Sequence, residues 1–336
     1  MGYSPSEAHF LKAVARRMRQ EIATLGPELR SLAFYVLGWP EKPDTEGFDY
    51  FEEPRQPSLT MWSTGIPDLA EESAVAAAAS VELLRGASLL HAGFLETAKV
   101  VERNSSAWWL YDAGASVMCG DALMSLSSSV LHDLDEAATV RVGARLMKAF
   151  RCAIAGHLDD LLFSQRPWLG NGVVTMADYE RMAANKTAEL FAISASVGPL
   201  LAGMPDSDVD GFARVGHHLG LAYQAMSDIM LVKPMVEAGG FGDEAKLRIK
   251  KSLPLVWATT HEHSAARRLC ALLADPARAE FDEIFSIFDE MQIFENSRRF
   301  ARDQTVEAMG AARNLHITRE EIAWLEEYAV LILAHP

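Results

Sequence analysis

Two stretches place residues capable of metal chemistry at helical spacing. Residues 82–96 read Glu-Leu-Leu-Arg-Gly-Ala-Ser-Leu-Leu-His-Ala-Gly-Phe-Leu-Glu, and residues 220–231 read Gly-Leu-Ala-Tyr-Gln-Ala-Met-Ser-Asp-Ile-Met-Leu. Carboxylates at i and i+4 share one helix face and can chelate a hard cation such as Mg2+. Here each stretch offers one acid, Glu96 in the first and Asp228 in the second. Two acids could hold one ion through its waters. The histidines are poorer ligands. His261-Glu262-His263 is read as lying on a helix, where spacing i, i+2 sends the rings apart, and His217-His218 diverge likewise.

These residues need helices to position them, and the pattern supplies helices almost throughout. Apolar residues recur at 3.6-residue spacing in stretches near 6–25, 28–37, 71–95, 107–131, 134–163, 175–203, 207–231, 243–273, 277–294, 296–314 and 318–334. Ser4-Pro5-Ser6-Glu7 reads as the capped start of the first helix, and Gly26-Pro27 breaks the chain before the second. Strand-like alternation is scarce. The stretches 74–90 and 187–203 are apolar on more than one face, which places them inside a bundle. Residues 39–70 hold five prolines and many acids, and are expected to be a long loop with one short helical turn. No linker is evident elsewhere, so residues 1–336 read as a single all-α domain with an irregular insertion at about 39–70.

Composition narrows the function. Hydrophobic residues make up 49% of the chain, enough for a large core. With 31 basic and 46 acidic residues the net charge is −15, which repels nucleic-acid phosphate and anionic lipid. Cys119, Cys152 and Cys270 fit neither disulfide nor zinc spacing, so a reducing, cytoplasmic setting is expected. No transmembrane run and no secretory signal is expected either.

Together the motifs resemble the trans-isoprenyl diphosphate synthase (polyprenyl synthetase) family, over most of the chain. Ser88-Leu89-Leu90-His91 matches the frame that precedes the family's first aspartate-rich motif, but its aspartate positions hold Ala92, Gly93 and Glu96. Gly120-Asp121-Ala122-Leu123 matches Gly-Asp-x-Leu. Gly156-His157-Leu158-Asp159-Asp160-Leu161 looks like Gly-Gln-x-x-Asp-Leu, and Tyr179…Lys186-Thr187-Ala188-Glu189-Leu190-Phe191 is close to Tyr…Lys-Thr-Ala-x-Leu-Phe. The second aspartate motif is matched by Gln224 and Asp228 but has lost acids at Ser227 and Leu231. Lys250-Lys251-Ser252-Leu253-Pro254 resembles Gly-Lys-x-Thr-Leu-Pro without its glycine. The early Gly-Lys-x-x-Arg segment is similar to Gly26-Pro27-Glu28-Leu29-Arg30, where only Arg30 survives.

The resemblance implies an isoprenoid-synthase-type helical bundle around a deep central cavity. In the family, metal ions held by facing carboxylates neutralise a diphosphate as it leaves an allylic carbon. It implies diphosphate-binding roles for Arg30, Arg103, Lys186, Lys250 and Gln224. Arg85, standing where the family has histidine, and Lys99 are further cations that could meet phosphate. It also implies that Leu84, Ala87 and Ser88, with His91 beside them, line a pocket for a prenyl chain of about fifteen to twenty carbons, since small residues there leave its floor open. His91 itself reads more simply as a polar core residue. Pairing with itself or with an active prenyl synthase is expected through 107–131 and 134–163, with Trp108, Trp109 and Met124 as apolar contacts. Three functions stay open: a non-catalytic or regulatory subunit of a prenyl synthase, a divergent prenyltransferase or terpene-cyclase-like enzyme, and a polyprenyl-chain binding protein.

Overall fold

The computed structural model describes residues 4–39, 55–65, 69–96, 113–237, 250–275 and 281–334. Among them the regular structure is entirely helical. The chain divides into two compact units, the first comprising residues 1–154, 189–216 and 314–316, the second residues 155–188, 217–313 and 317–336.

The first unit is built on α4 (Glu71–Glu96). Its small residues, among them Ala74, Ala77, Ala79 and Ala87, are buried together with Val81, Leu83, Leu84 and Leu90. That composition lets neighbours approach from several sides. α1 (Pro5–Ile22), α2 (Pro27–Val36), α3 (Arg55–Ser63) and α5 (Ala113–Val130) all pack on it. Buried Ser80 donates to the Ser127 carbonyl at 2.6 Å, tying α4 to α5. Residues 71–92 of α4 reach a mean hydropathy of 1.3, long and apolar enough to cross a membrane, which the sequence reading did not anticipate. This window is 78% buried within the protein, the condition of a core helix.

α3 falls in the segment expected to be a long loop with one short helical turn, and is nine residues long. Pro57 occupies the first turn of α3, where a missing N–H costs no intrahelical bond. Leu59, Thr60, Trp62 and Ser63 are buried, and Trp62 packs against Phe212 with centroids 5.4 Å apart. The helix docks on α8 (Glu189–Leu201) so closely that a Cβ on Gly198 would lie 1.6 Å from the Ser63 carbonyl oxygen. The Ser63 hydroxyl donates to the Ser194 carbonyl and accepts from the Gly198 amide.

α6 (Glu136–Phe163) and α9 (Asp206–Glu237) each begin in the first unit and end in the second. The second unit adds α7 (Met176–Ala183), capped by a reciprocal Thr175–Asp178 box, followed by a π turn over Ala184–Ala188. It continues with α10 (Leu253–Thr260), α11 (Ser264–Ala274), α12 (Phe281–Glu290), α13 (Ile293–Ala312) and α14 (Arg319–Ala334). The single helix expected over 243–273 is corrected at two points. Ser252 is extended and a new helix starts at Leu253 with Pro254 in its first turn, and His261–His263 interrupt the chain before α11. His263 is an N-cap there, its Nδ1 accepting from the Ala265 amide at 3.1 Å, rather than a residue within a helix.

Candidate functional site

Three charged side chains converge in the second unit. Asp160, on the last turn of α6, accepts from Lys186 Nζ and Lys250 Nζ, both at 2.6 Å from the same oxygen, Oδ2. Lys186 is delivered by the π turn, whose i to i+5 bonding widens the helix and suits it to local functional geometry. Lys250 comes from the irregular residues ahead of α10. Gly156, one turn before Asp160, has no Cβ, and one placed there would lie 2.2 Å from the Lys186 amide nitrogen. The close approach of α6 to the π turn therefore depends on glycine at this position.

Burial alone would raise the pKa of Asp160, but Lys186 and then Lys250 outweigh it and hold the carboxyl well below the usual range. Its second oxygen, Oδ1, is buried with no hydrogen-bond partner among the described residues.

A second network lies beside this one in sequence and in the same unit. Asp228, 3% exposed on α9, accepts from the Tyr179 hydroxyl at 2.8 Å, the Leu253 amide at 2.8 Å and Gln224 Nε2 at 2.9 Å. Gln224 in turn accepts from the Thr187 hydroxyl at 2.5 Å. The Leu253 amide is the first of α10, so Asp228 supplies the negative charge that a helix N-terminus favours. Burial pushes the carboxyl of Asp228 upward, against the pull of the Leu253 N–H. Burial and then Asp228 push the Tyr179 phenol well above its ordinary value, so Tyr179 remains a donor.

The first unit holds the other candidates. Arg85 donates through Nε to Glu82 Oε2 at 2.9 Å, and Glu82 is buried to 1% exposure with its Oε1 unpartnered among the described residues. His91 Nε2 lies 3.3 Å from Asp121 Oδ1, and Gly120 leaves the room its ring fills, because a Cβ there would lie 2.4 Å from Nε2. The match to Gly-Asp-x-Leu is thus a seat for His91. Arg30 is half-buried on α2. Leu84 and Ala87 belong to the hydrophobic core of this unit, and Ser88 is buried with them. The Glu96 side chain, and Lys99, Arg103, Trp108 and Trp109, lie outside the described residues.

Lys186 and Lys250 are therefore brought together, as are Gln224 and Asp228. Asp160, Tyr179 and Thr187 were not among the candidates from sequence, although each sits inside a motif. A carboxylate one helical turn after Gly156 was the available signal for Asp160.

The arrangement of Asp228 bears on Mg2+. Both its oxygens are engaged by internal donors, and the positions that would complete a chelating face hold Ser227 and Leu231. Among the described residues, no group of three or more His, Cys, Asp or Glu side chains is placed to hold a metal ion. These residues do not fit a three-metal cluster.

Known proteins share this fold. The Polyprenyl synthetase family matches residues 58–291. The chain is 33% identical over 262 residues to a (2E,6E)-farnesyl diphosphate synthase of Mycobacterium tuberculosis, covering 77% of this chain and 71% of that one. It is 30% identical over 267 residues to a geranylgeranyl diphosphate synthase of the same organism, covering 77% and 73%. Among solved structures, a polyprenyl synthetase from Streptomyces coelicolor A3(2) superposes with a TM-score of 0.81 at 26% identity, over 96% of this chain and 97% of that one. A decaprenyl diphosphate synthase from Rhodobacter capsulatus shares the fold, with a TM-score of 0.77 at 21% identity over 98% and 97%. The order of the motifs, the all-helical fold and these likenesses agree: this chain belongs to the polyprenyl synthetase family, the trans-isoprenyl diphosphate synthases of isoprenoid biosynthesis.

Proposed function

We propose that this chain does not perform metal-dependent chain elongation on its own and acts as a non-catalytic or regulatory subunit of an active prenyl synthase. The observation that carries this reading is Asp228. A metal-binding carboxylate must turn its lone pairs toward the ion, whereas the oxygens of Asp228 accept from Tyr179, Gln224 and Leu253. Ser227, Leu231, Ala92 and Gly93 offer no replacement acid. A surface suited to a partner supports the same reading. Val140, Ile154, Leu158 and Leu162 are exposed along α6, and the last three, at i, i+4 and i+8, share one face. Homodimerisation and pairing with an active synthase are both served by such a face.

The second reading, an enzyme that acts on an allylic prenyl diphosphate by other means, is favoured by Lys186 and Lys250. Two ammonium groups on one carboxylate oxygen are a pair that a phosphate group could claim in its place.

The deciding experiment incubates the chain with geranyl, farnesyl and geranylgeranyl diphosphates and Mg2+, with and without isopentenyl diphosphate, alone and with an active prenyl synthase from the same source. The proposal expects no product from the chain alone and a changed rate or product length in the mixture. Elongation by the chain alone at a rate on the order of 1 per second overturns it. Hydrocarbon or rearranged products from the chain alone establish the second reading.

A further inference from the structure

Two adjacent lysines ahead of α10 send their side chains to different seats. Lys250 Nζ reaches Asp160 Oδ2 at 2.6 Å, while Lys251 Nζ stands 3.1 Å from the centroid of the Trp168 ring. Lys251 is 1% exposed, and among the described residues no carboxylate pairs with it. Trp168 is itself buried, on the 164–175 loop of the same unit. The face of an indole carries the negative part of its quadrupole, and away from water it attracts an ammonium strongly. α11 brings the Cys270 thiol toward Lys251. Burial pushes that thiol up and it donates to the Thr259 carbonyl at 3.8 Å, so it adds no counter-charge.

The two lysines are chemically alike, so attraction to Asp160 does not choose between them. Their surroundings do. If the chain slipped by one residue, so that Lys251 met Asp160, Pro254 would take the place of Leu253 opposite Asp228. Proline has no N–H, and Asp228 would lose the donor that now lies at 2.8 Å. Ser252 would come to the Trp168 face, which holds a hydroxyl far less firmly than an ammonium. One register therefore satisfies three contacts together: Lys250 on Asp160, Lys251 on Trp168, and the Leu253 amide on Asp228.

We propose that the charged contact of Lys251 with the Trp168 ring sets the register of residues 250–253, which makes Lys251 a positioning residue for Lys250 and for the Leu253 amide. The ammonium on the ring face carries this role, and the bulk of the side chain does not. The inference does not depend on the proposed subunit role, because its test involves no ligand and no activity.

The test is amide hydrogen exchange by NMR on the whole chain, with Trp168 replaced site-specifically by mono-, di- and trifluorinated tryptophan. Fluorine drains the ring face of electron density while leaving its shape nearly unchanged. Burial draws the pKa of Lys251 down to about 7, so the series is run about one pH unit lower, where the ammonium prevails. Protection of the Leu253 amide is expected to fall stepwise along the series, by about ten-fold at its end, while the amide of Ala301, buried on α13, keeps its protection. Lys251→Met is expected to reproduce the loss at Leu253, and Lys251→Arg to prevent it, since a guanidinium also stacks on aromatic faces. If Lys251→Met does not fold, the fluorinated series and Lys251→Arg decide alone. Leu253 protection that is flat along the series, that falls equally with Ala301, or that survives Lys251→Met overturns the proposal.

Discussion

Tyr179 donates its hydroxyl hydrogen to Asp228 at 2.8 Å, with both residues buried. This bond converts an acid expected at a metal site into a structural acceptor that also holds the first turn of α10. Tyr179→Phe removes one donor without changing the ring, and is expected to destabilise the protein by about 2 kcal/mol. Asp228→Asn turns an amide N–H toward existing donors and is expected to cost about 3 kcal/mol. Urea denaturation checks both. A neutral result for Asp228→Asn would show that the carboxylate is not the structural hub described.

Asp160→Asn leaves Lys186 and Lys250 without their shared charge. It is expected to cost about 3 kcal/mol, the lower end for a broken buried pair, because Lys250 is 26% exposed. The pH profile adds a sign. The pKa of Asp160 is depressed in the folded state, so its contribution is full above the ordinary value of 3.8 and drains away as pH falls through the lower folded value. Denaturation midpoints measured on the acid side are expected to show this loss in the wild type and a shallower limb in Asp160→Asn.

Gly156→Ala is the smallest change that separates α6 from the π turn. The added methyl would meet backbone at 2.2 Å, which no rotamer change relieves. The expected cost is about 3 kcal/mol, and the midpoint of thermal unfolding should fall accordingly. Gly143→Ala is the control, since a Cβ there meets only a Leu131 side chain, at 3.5 Å.

Ile154→Glu with Leu158→Glu places two charges on the apolar face of α6. If that face pairs with another chain, light scattering should show the mass of the double variant fall to that of a monomer, with its helical circular dichroism unchanged. A wild type that is already monomeric at micromolar concentration, with no partner recovered from its source, would count against the interface.

The bundle was legible in the sequence because periodicity and small-residue composition act over whole helices. Residues 136–163 and 319–334 were read to within two residues at each end. α3 was legible only as one short helical turn, since the prolines around it signal a loop, and its contact with Gly198 shows why nine residues fold there. The π turn was read as plain helix, because one extra residue per turn leaves little trace in a hydrophobic pattern. For the site, Lys186, Lys250, Gln224 and Asp228 were singled out by their motifs. What was missed was the direction of their bonds. Asp160 and Tyr179 take up Lys186, Lys250 and Asp228 from inside the protein, and residue type does not reveal which partner a side chain will prefer.

The fit of Gly156 against the π turn has a consequence for how such a sequence can change over time. A π turn is held open only while something occupies or demands the extra width, and here the demand comes from a helix backbone with a notch in it. Notch and swelling form a single mechanical joint across two motifs, Gly156 meeting Lys186. Neither side can drift alone. Filling the notch jams the joint, and trimming one residue from the swelling returns the turn to ordinary α geometry. Substitutions tolerated at one motif should therefore be found only in company with changes at the other.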